Sequence, residues 1–378
     1  MTEEDEEKKF PKEQYYKIGV LGNGAFGEVW LYMVKETGTF RVLKKIQIQR
    51  DPKDFEYFRR ECACLQSCSH YAIVKLFSYG TSRNHWLEME YLPNGALTKF
   101  IENWANYHDD DYYWCKVAII AYGIAAGLDH LHKHKMIHRD IKPDNIFLNS
   151  HDEPKIGDFG FARDYIPRAI CSFPATFFFA APEILKRENS VYESDIFAFG
   201  VTLYNMLVGP INNNNMQIGA VFSQGKMDID MSNPFSKIVI GCTKDDYKER
   251  TPLSQVMEEI KNISKTFSQE NREEFDNYVL KLEGEPEIEP ITIDTLEELS
   301  CAHSSIDYLL GLIYSKDLEP YSKADFRKAL ISLYTAFDKG DTSQRVVTAV
   351  SEIYTQHINE ISQDDNLQRI VDSVLKHQ

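Results

Sequence analysis

From Lys17 to Leu92 apolar and polar residues mostly alternate. KIGVLG (Lys17–Gly22) and EVWLYMV (Glu28–Val34) alternate across a glycine turn, and TFRVLKKIQI (Thr39–Ile48) alternates again. A period of two sends successive side chains to opposite faces, so these segments predict an antiparallel sheet. IVKLFSYG (Ile73–Gly80) and WLEMEYL (Trp86–Leu92) predict two further strands. Between them DFEYFRRECACLQSC (Asp54–Cys68) spaces its apolar residues three and four apart, which predicts one helix. Beyond Asn94 the longer period takes over: LTKFIENW, WCKVAIIAYGIAAGLDHLHKH and ESDIFAFGVTLYNMLVG all predict helices. The expected class is α+β and bilobal. A small β-rich lobe precedes a larger helical lobe, the hinge lies near Glu90–Pro93, and an all-α extension follows.

Composition sets the limits. With 378 residues, 43% apolar and 26% charged, the chain is globular and long enough for more than one domain. The formal charge of −16 argues against nucleic acid or an anionic membrane as partner. From Thr266 to Gln378 there are 22 Asp and Glu against 10 Lys and Arg, so most of the excess acid lies in the C-terminal third. The opening MTEEDEEKKF is too charged for a signal peptide, and 1–14 is expected to be a solvated acidic tail. LEGEPEIEPITID (Leu282–Asp294) is acidic and broken by prolines, so 265–294 is expected to be an acidic linker and 295–378 a helical extension. NNNN (Asn212–Asn215) reads as a loop insert. The apolar run Val117–Leu128 has 12 residues, a buried helix and not a membrane span. Seven scattered Cys predict a reducing compartment, the cytoplasm, with the nucleus open. Cys62, Cys64, Cys68 and His70 fit no zinc spacing and read as core residues on a helix; His130, His132, His134 and His138 read as structural.

Chemistry-bearing residues concentrate in three places. LGNGAFGEV (Leu21–Val29) sets three glycines between two strands, where a backbone turn approaches a polyphosphate without Cβ clashes. About fifteen residues on, Lys44 lies inside an apolar strand, where an ammonium needs a partner. A nucleotide phosphate or Glu61 of the following helix would serve. The register could slip to Lys45, but Lys44 would share its inward face with Val42. Third, MIHRDIKPDNIFL (Met136–Leu148) crowds charge between apolar runs, with Asp140 and Asn145 spaced D-x-x-x-x-N, and KIGDFGFAR adds Asp158. Phosphoryl transfer needs a divalent metal on the phosphates and an acceptor for the incoming hydroxyl's proton. Asp158 and Asn145 can hold Mg²⁺ through oxygen, Asp140 can orient the hydroxyl, and Lys142 can bind the migrating phosphate.

Taken together, these motifs resemble those of eukaryotic protein kinases. G-x-G-x-F-G-x-V spans Gly22–Val29, followed by Lys44, Glu61, HRDIKPDN (His138–Asn145), DFG (Asp158–Gly160) and APE (Ala181–Glu183). SDIFAFG (Ser194–Gly200) and Arg250 extend the match over about 15–264, with an N-lobe at 15–92 and a C-lobe at 93–264. The resemblance implies Asp140 as catalytic base, assisted by Lys142, with Lys44 and Glu61 as an ion pair of the active state. Asn145 and Asp158 would be the metal ligands. It implies that Leu21, Gly22, Asn23, Gly24, Ala25, Phe26, Gly27, Glu28 and Val29 cover ATP. Val29, Val42 and Leu148 would sandwich the base, Met89 would be the gatekeeper, and Glu90 and Leu92 would meet adenine in the hinge. His138 and Phe159 would belong to an apolar stack, and Arg250 would pair with Glu183.

Lys142 and Thr176 resemble the Ser/Thr-directed branch, so the expected partners are protein substrates bearing Ser or Thr. Ala175 and Phe179 depart from the family's Gly and Tyr, which puts substrate preference in question. Arg139 implies a phosphate on the loop after DFG, with Ser172 the leading candidate and Tyr165 and Thr176 behind it. The alternative function is a pseudokinase or scaffold, disfavoured because Lys44, Glu61, Asp140, Asn145 and Asp158 are all present. A small-molecule kinase is disfavoured by DFG, the long Asp164–Pro174 loop and APE. The segment Ile306–Asp341 is similar to a Sel1-like helical hairpin, with KDLEPY replacing its glycine turn, and the resemblance implies a protein partner for the extension.

Overall fold

The alternating segments form one sheet of order β1-β2-β3-β5-β4: β1 (Tyr15–Gly24), β2 (Gly27–Val34), β3 (Phe40–Ile46), β4 (Leu76–Gly80) and β5 (His85–Glu90). Opposed residues on paired strands share a face. Leu31 pairs with Val42 and Val42 with Met89, while Val29 pairs with Lys44 and Lys44 with Leu87. Those residues therefore line one face. The other carries Trp30, Tyr32, Leu43 and Trp86, closed by Phe10 and Tyr15 into an aromatic cluster. The computed structural model describes residues 10–24, 27–46, 52–80, 85–104, 110–161, 163–164, 177–186, 188–209, 229–284, 286, 288–300 and 304–376. Contacts divide the chain into a unit of Met1–Ile48, Phe77–Pro93 and Glu289–Gln378, and one of Gln49–Leu76 and Asn94–Ile288.

The second unit is mainly helical: α1 (Pro52–Ser67), α2 (Leu97–Trp104), α3 (Asp111–Lys133), α4 (Pro182–Leu185), α5 (Tyr192–Val208), α6 (Ser236–Cys242), α7 (Leu253–Ser264) and α8 (Gln269–Glu283). Short strands β6 (Gly95–Ala96), β7 (Met136–Ile137), β8 (Ile146–Leu148), β9 (Pro154–Ile156) and β10 (Arg163–Asp164) carry the loops between them. Asp110 caps α3 by accepting from the Tyr112 amide. Val117–Leu128 is buried almost all round, as a helix apolar on every side must be. No described helix is long and apolar enough to cross a membrane.

The acidic linker expected over 265–294 requires correction, because α8 occupies its first half. Phe275, Tyr278, Val279 and Leu282 are buried at helical spacing. The high density of surface charge concealed that stripe. Lys116 of α3 is buried and meets Glu274 at 2.6 Å, which ties the two helices.

In the first unit, α9 (Ile293–Leu299), α10 (Ser304–Tyr314), α11 (Phe326–Asp338), α12 (Gln344–Gln356), α13 (Ile358–Ile361) and α14 (Asp365–Leu375) build the extension. Asp325 caps α11 by accepting from the Arg327 and Lys328 amides. At Gly311 of α10 an added Cβ would lie 2.6 Å from Leu333 Cγ, so the missing side chain lets α10 and α11 approach. The extension shares one hydrophobic core with the sheet: Ile18, Leu31, Met33 and Phe40 join Leu296, Ile306, Leu309 and Ile313. Hydrogen bonds reinforce the seam, from Phe40 N–H to Ile291 O at 2.8 Å and from Tyr16 hydroxyl to Glu319 O at 2.7 Å.

Candidate active site

The polar stretch after β7 is held through its backbone N–H groups by a carboxylate from another element. Asp195 of α5 is buried; its Oδ2 accepts the His138 N–H and its Oδ1 the Arg139 N–H, each at 2.8 Å. His132 Nε2 lies 2.9 Å from the same Oδ2. Burial pushes the Asp195 carboxyl up, but the His132 bond, the nearby imidazoles and the Arg139 amide outweigh it and hold it below the usual range. Arg139 takes φ 71°, a left-handed conformation costly for a side-chain-bearing residue, and the two amide bonds around it stabilise that bend.

Immediately beyond the bend, Asp140 is clamped. Asn145 Nδ2 donates to Asp140 Oδ2 at 2.7 Å and to Asp140 O at 2.8 Å, and Lys142 Nζ donates to Oδ2 at 2.8 Å. The structure thus brings Asp140, Lys142 and Asn145 together. With Nδ2 committed to Asp140, the amide of Asn145 presents Oδ1 as its remaining coordinating atom. Leu148 is buried in β8, paired with Gly95.

Asp158 follows Gly157, whose N–H donates to Asn145 O at 2.9 Å and whose carbonyl lies 3.1 Å from His138 Nε2. His138 Nδ1 accepts the Asp140 N–H at 3.3 Å, so Nε2 carries the ring proton and donates to Gly157. The His138 and Phe159 rings meet edge to face at 4.9 Å. Asp158 itself takes φ 58°, a second strained residue in the same cluster. Asn145 and Asp158 each have side-chain oxygen to offer, and oxygen donors fit Mg²⁺ better than a softer ion. Glu61 is buried on α1, which packs against the Phe159–Phe161 turn.

On the sheet, Lys44 shares its face with Val29, Val42 and Met89. Lys45 pairs with Glu28 and Trp86 on the opposite face, its Nζ 4.9 Å from the Trp30 ring. The register therefore favours Lys44 over Lys45 as the inward lysine. Leu21 and Val42 are partly buried and pack against the core shared with the extension, and Gly22 pairs with Val29. Gly24 pairs with Gly27, with Asn23 and Glu28 beside them. Glu90 pairs with Arg41 and is buried, as is Leu92. Ala25, Phe26, Tyr165, Ser172, Ala175, Thr176 and the Asn212–Asn215 insert lie outside the described residues.

Glu183 and Arg250 form a buried bidentate pair at 2.8 and 2.7 Å, with the Ser194 hydroxyl donating to Glu183 at 2.7 Å. Burial pushes the Glu183 carboxyl up, yet these bonds hold it below the usual range. Sequence reasoning found this pair but missed the role of Asp195. A lone Asp among the apolar residues of SDIFAFG was the available signal.

The family described as "Protein kinase domain" matches residues 15–263. "Serine/threonine-protein kinase 10" of Xenopus tropicalis is 32% identical over 204 residues, covering 52% of this chain and 21% of that protein. "Serine/threonine-protein kinase CLA4" of Candida albicans is 29% identical over 261 residues, covering 66% and 26%. "Serine/threonine-protein kinase pakA" of Dictyostelium discoideum is 29% identical over 202 residues, covering 53% and 16%. The chain thus spans no more than about a quarter of each of these relatives.

Proposed function

The chain belongs to the protein kinase family, and we propose that it transfers the γ-phosphate of MgATP to Ser and Thr hydroxyls of protein substrates. The observation that carries this reading is the Asp140 carboxylate, clamped by Asn145 and Lys142 on a backbone anchored to Asp195. In that position Asp140 accepts the proton of the incoming hydroxyl and orients its oxygen. Lys142 offers positive charge where the moving phosphoryl group gathers negative charge. Asn145 and Asp158 would hold the metal by their oxygens. When bound, ATP would supply the phosphoryl group and its metal would neutralise charge on the phosphates.

Lys44 is proposed to meet the phosphates and Glu61 to partner it. The glycine turn Gly22–Gly27 would cover the phosphates, with Val29, Val42 and Leu148 around the base, Met89 behind it, and Glu90 and Leu92 hydrogen-bonding adenine. Lys142 supports Ser/Thr over Tyr as acceptor. The scattered cysteines support a cytoplasmic setting, and a protein partner for the extension belongs to the same proposal.

The test is radiolabelled transfer from MgATP to a generic basic protein by the full chain beside Asp140→Asn, followed by phosphoamino-acid analysis. Label on Ser or Thr that vanishes in the variant is the expected result. No transfer, with a thermal shift by MgATP intact, would replace this reading with a nucleotide-binding scaffold.

A further inference from the structure

The sequence holds two clusters of candidate ligands that read as core or structural residues, one at Cys62–His70 and one of histidines at His130–His138. The fold takes one member of the first and two of the second and sets them side by side. Cys68 closes α1, its N–H donating to Cys64 O at 3.0 Å. His130 lies in the last turn of α3 and His134 follows as its cap residue, so the four-residue spacing brings their rings, tilted by 32°, to 4.3 Å between centroids. One candidate ligand atom from each of Cys68, His130 and His134 lies within 4.8 Å of the other two. His132, between them, is turned away to Asp195.

We propose that Cys68, His130 and His134 form a zinc site, independent of the phosphoryl-transfer reading. Three observations carry it. His134 Nδ1 lies 2.8 Å from His130 O, and a carbonyl can only accept, so Nδ1 holds the proton and Nε2 keeps its lone pair. That second-shell bond orients a ligating imidazole. His130 Nε2 is buried without a hydrogen-bond partner among the described residues, an arrangement that is costly unless something binds there. The donor set of one sulfur and two imidazole nitrogens suits zinc, whereas Mg²⁺ and Ca²⁺ prefer oxygen.

The geometry closes with small motions. Zinc bonds of about 2.0–2.3 Å at tetrahedral angles put ligand atoms roughly 3.3–3.8 Å apart. His134 is exposed and can rotate toward the others, and it also gives the ion its way in. On binding, the Cys68 thiol releases its proton to solvent and the sulfur bonds the ion as thiolate. The His70 ring lies 4.8 Å from that of His130 in a tilted contact, but its Nδ1 accepts the Ala72 N–H at 3.2 Å, so the fourth position is assigned to water. Zinc here would pin the end of α1, the helix of Glu61, to the cap of α3 at His134, four residues before His138.

The test uses the full chain, kept reduced with a phosphine and stripped of metal, then titrated with Co²⁺ alone. A thiolate-to-cobalt charge-transfer absorption saturating at one equivalent and displaced by Zn²⁺ is expected. Cys68→Ser should abolish it. His134→Ala, at an exposed position, should melt like the wild type without metal yet bind Co²⁺ at least about tenfold more weakly, since second-shell changes alone are worth about 10–100-fold. No charge-transfer band in the wild type, or one that keeps its affinity in His134→Ala, overturns the site.

Discussion

Leu312 of the C-terminal extension occupies the space a side chain on Gly19 of β1 would need: an added Cβ would lie 2.6 Å from its Cδ1. The sheet and the extension are thus fitted to each other, and the extension is part of the sheet's core.

A chain ended after Ser264 would expose Ile18, Leu31, Met33 and Phe40 together. At about 1.5–3 kcal/mol for each buried side chain, the loss rivals a domain's whole stability of about 5–15 kcal/mol. The shortened chain is expected to aggregate or to melt without cooperativity. Gel filtration with circular-dichroism melting checks this, and a monomer melting like the full chain would refute it. Leu333→Ala, at a fully buried position in the same core, should cost about 2–5 kcal/mol in urea unfolding.

Asp140→Asn keeps the size of the side chain and removes the carboxylate that would accept the hydroxyl's proton. We expect kcat to fall about 10²–10⁴-fold while nucleotide binding, read by calorimetry, stays within a few-fold. An unchanged kcat would remove Asp140 from the proposed chemistry.

Register separates two adjacent lysines. Lys44→Met should lower kcat/KM for ATP by about 10²–10³-fold, whereas Lys45→Met, on the face of Trp30, should stay near wild type. Equal losses would mean that the sheet pairs in another register.

Arg250→Met leaves the buried Glu183 carboxylate without its ion-pair partner, with the Ser194 hydroxyl bond still in place. A loss of about 3–5 kcal/mol is expected, and adding Glu183→Gln should recover part of it. Chemical denaturation of the three variants gives the coupling energy, and simple additivity would count against the pair.

Acid should weaken the fold through Asp195 and Glu183. Both carboxyls lie below their usual range in the folded chain, so the unfolded chain binds more protons as pH falls into the ordinary carboxylate range near about 4. Their contribution is complete above that range and is lost on acidification. Melting temperature followed from pH 7 downward should fall, and fall less steeply for Asp195→Asn. Identical slopes would assign the acid lability elsewhere.

The candidate site was legible in the sequence where its parts are close in the chain. Asp140, Lys142 and Asn145 span six positions, and a loop between two apolar strands fixes such neighbours with little help. Asp195 lies 55 residues away from Asp140 and looked like one more helix residue. Its importance comes from two backbone amides, which leave no mark on residue type. The helix Gln269–Glu283 was hidden for a related reason: four buried apolar residues were outnumbered by charges on the solvent face.

By itself the sequence determined the strands, through a period of two, the principal helices, through apolar spacing, and the polar constellation around Asp140. These are local properties of backbone geometry and side-chain type. Only the tertiary structure decided that the extension closes on Ile18, Leu31, Met33 and Phe40, that the face of Val42 and Lys44 is joined by Val29 and Met89 from the neighbouring strands, and that Cys68 stands beside His130 and His134. Hydrophobic attraction is non-directional, so an apolar stripe shows that it must be covered without naming its cover. Register and packing, set by the chain as a whole, make that choice.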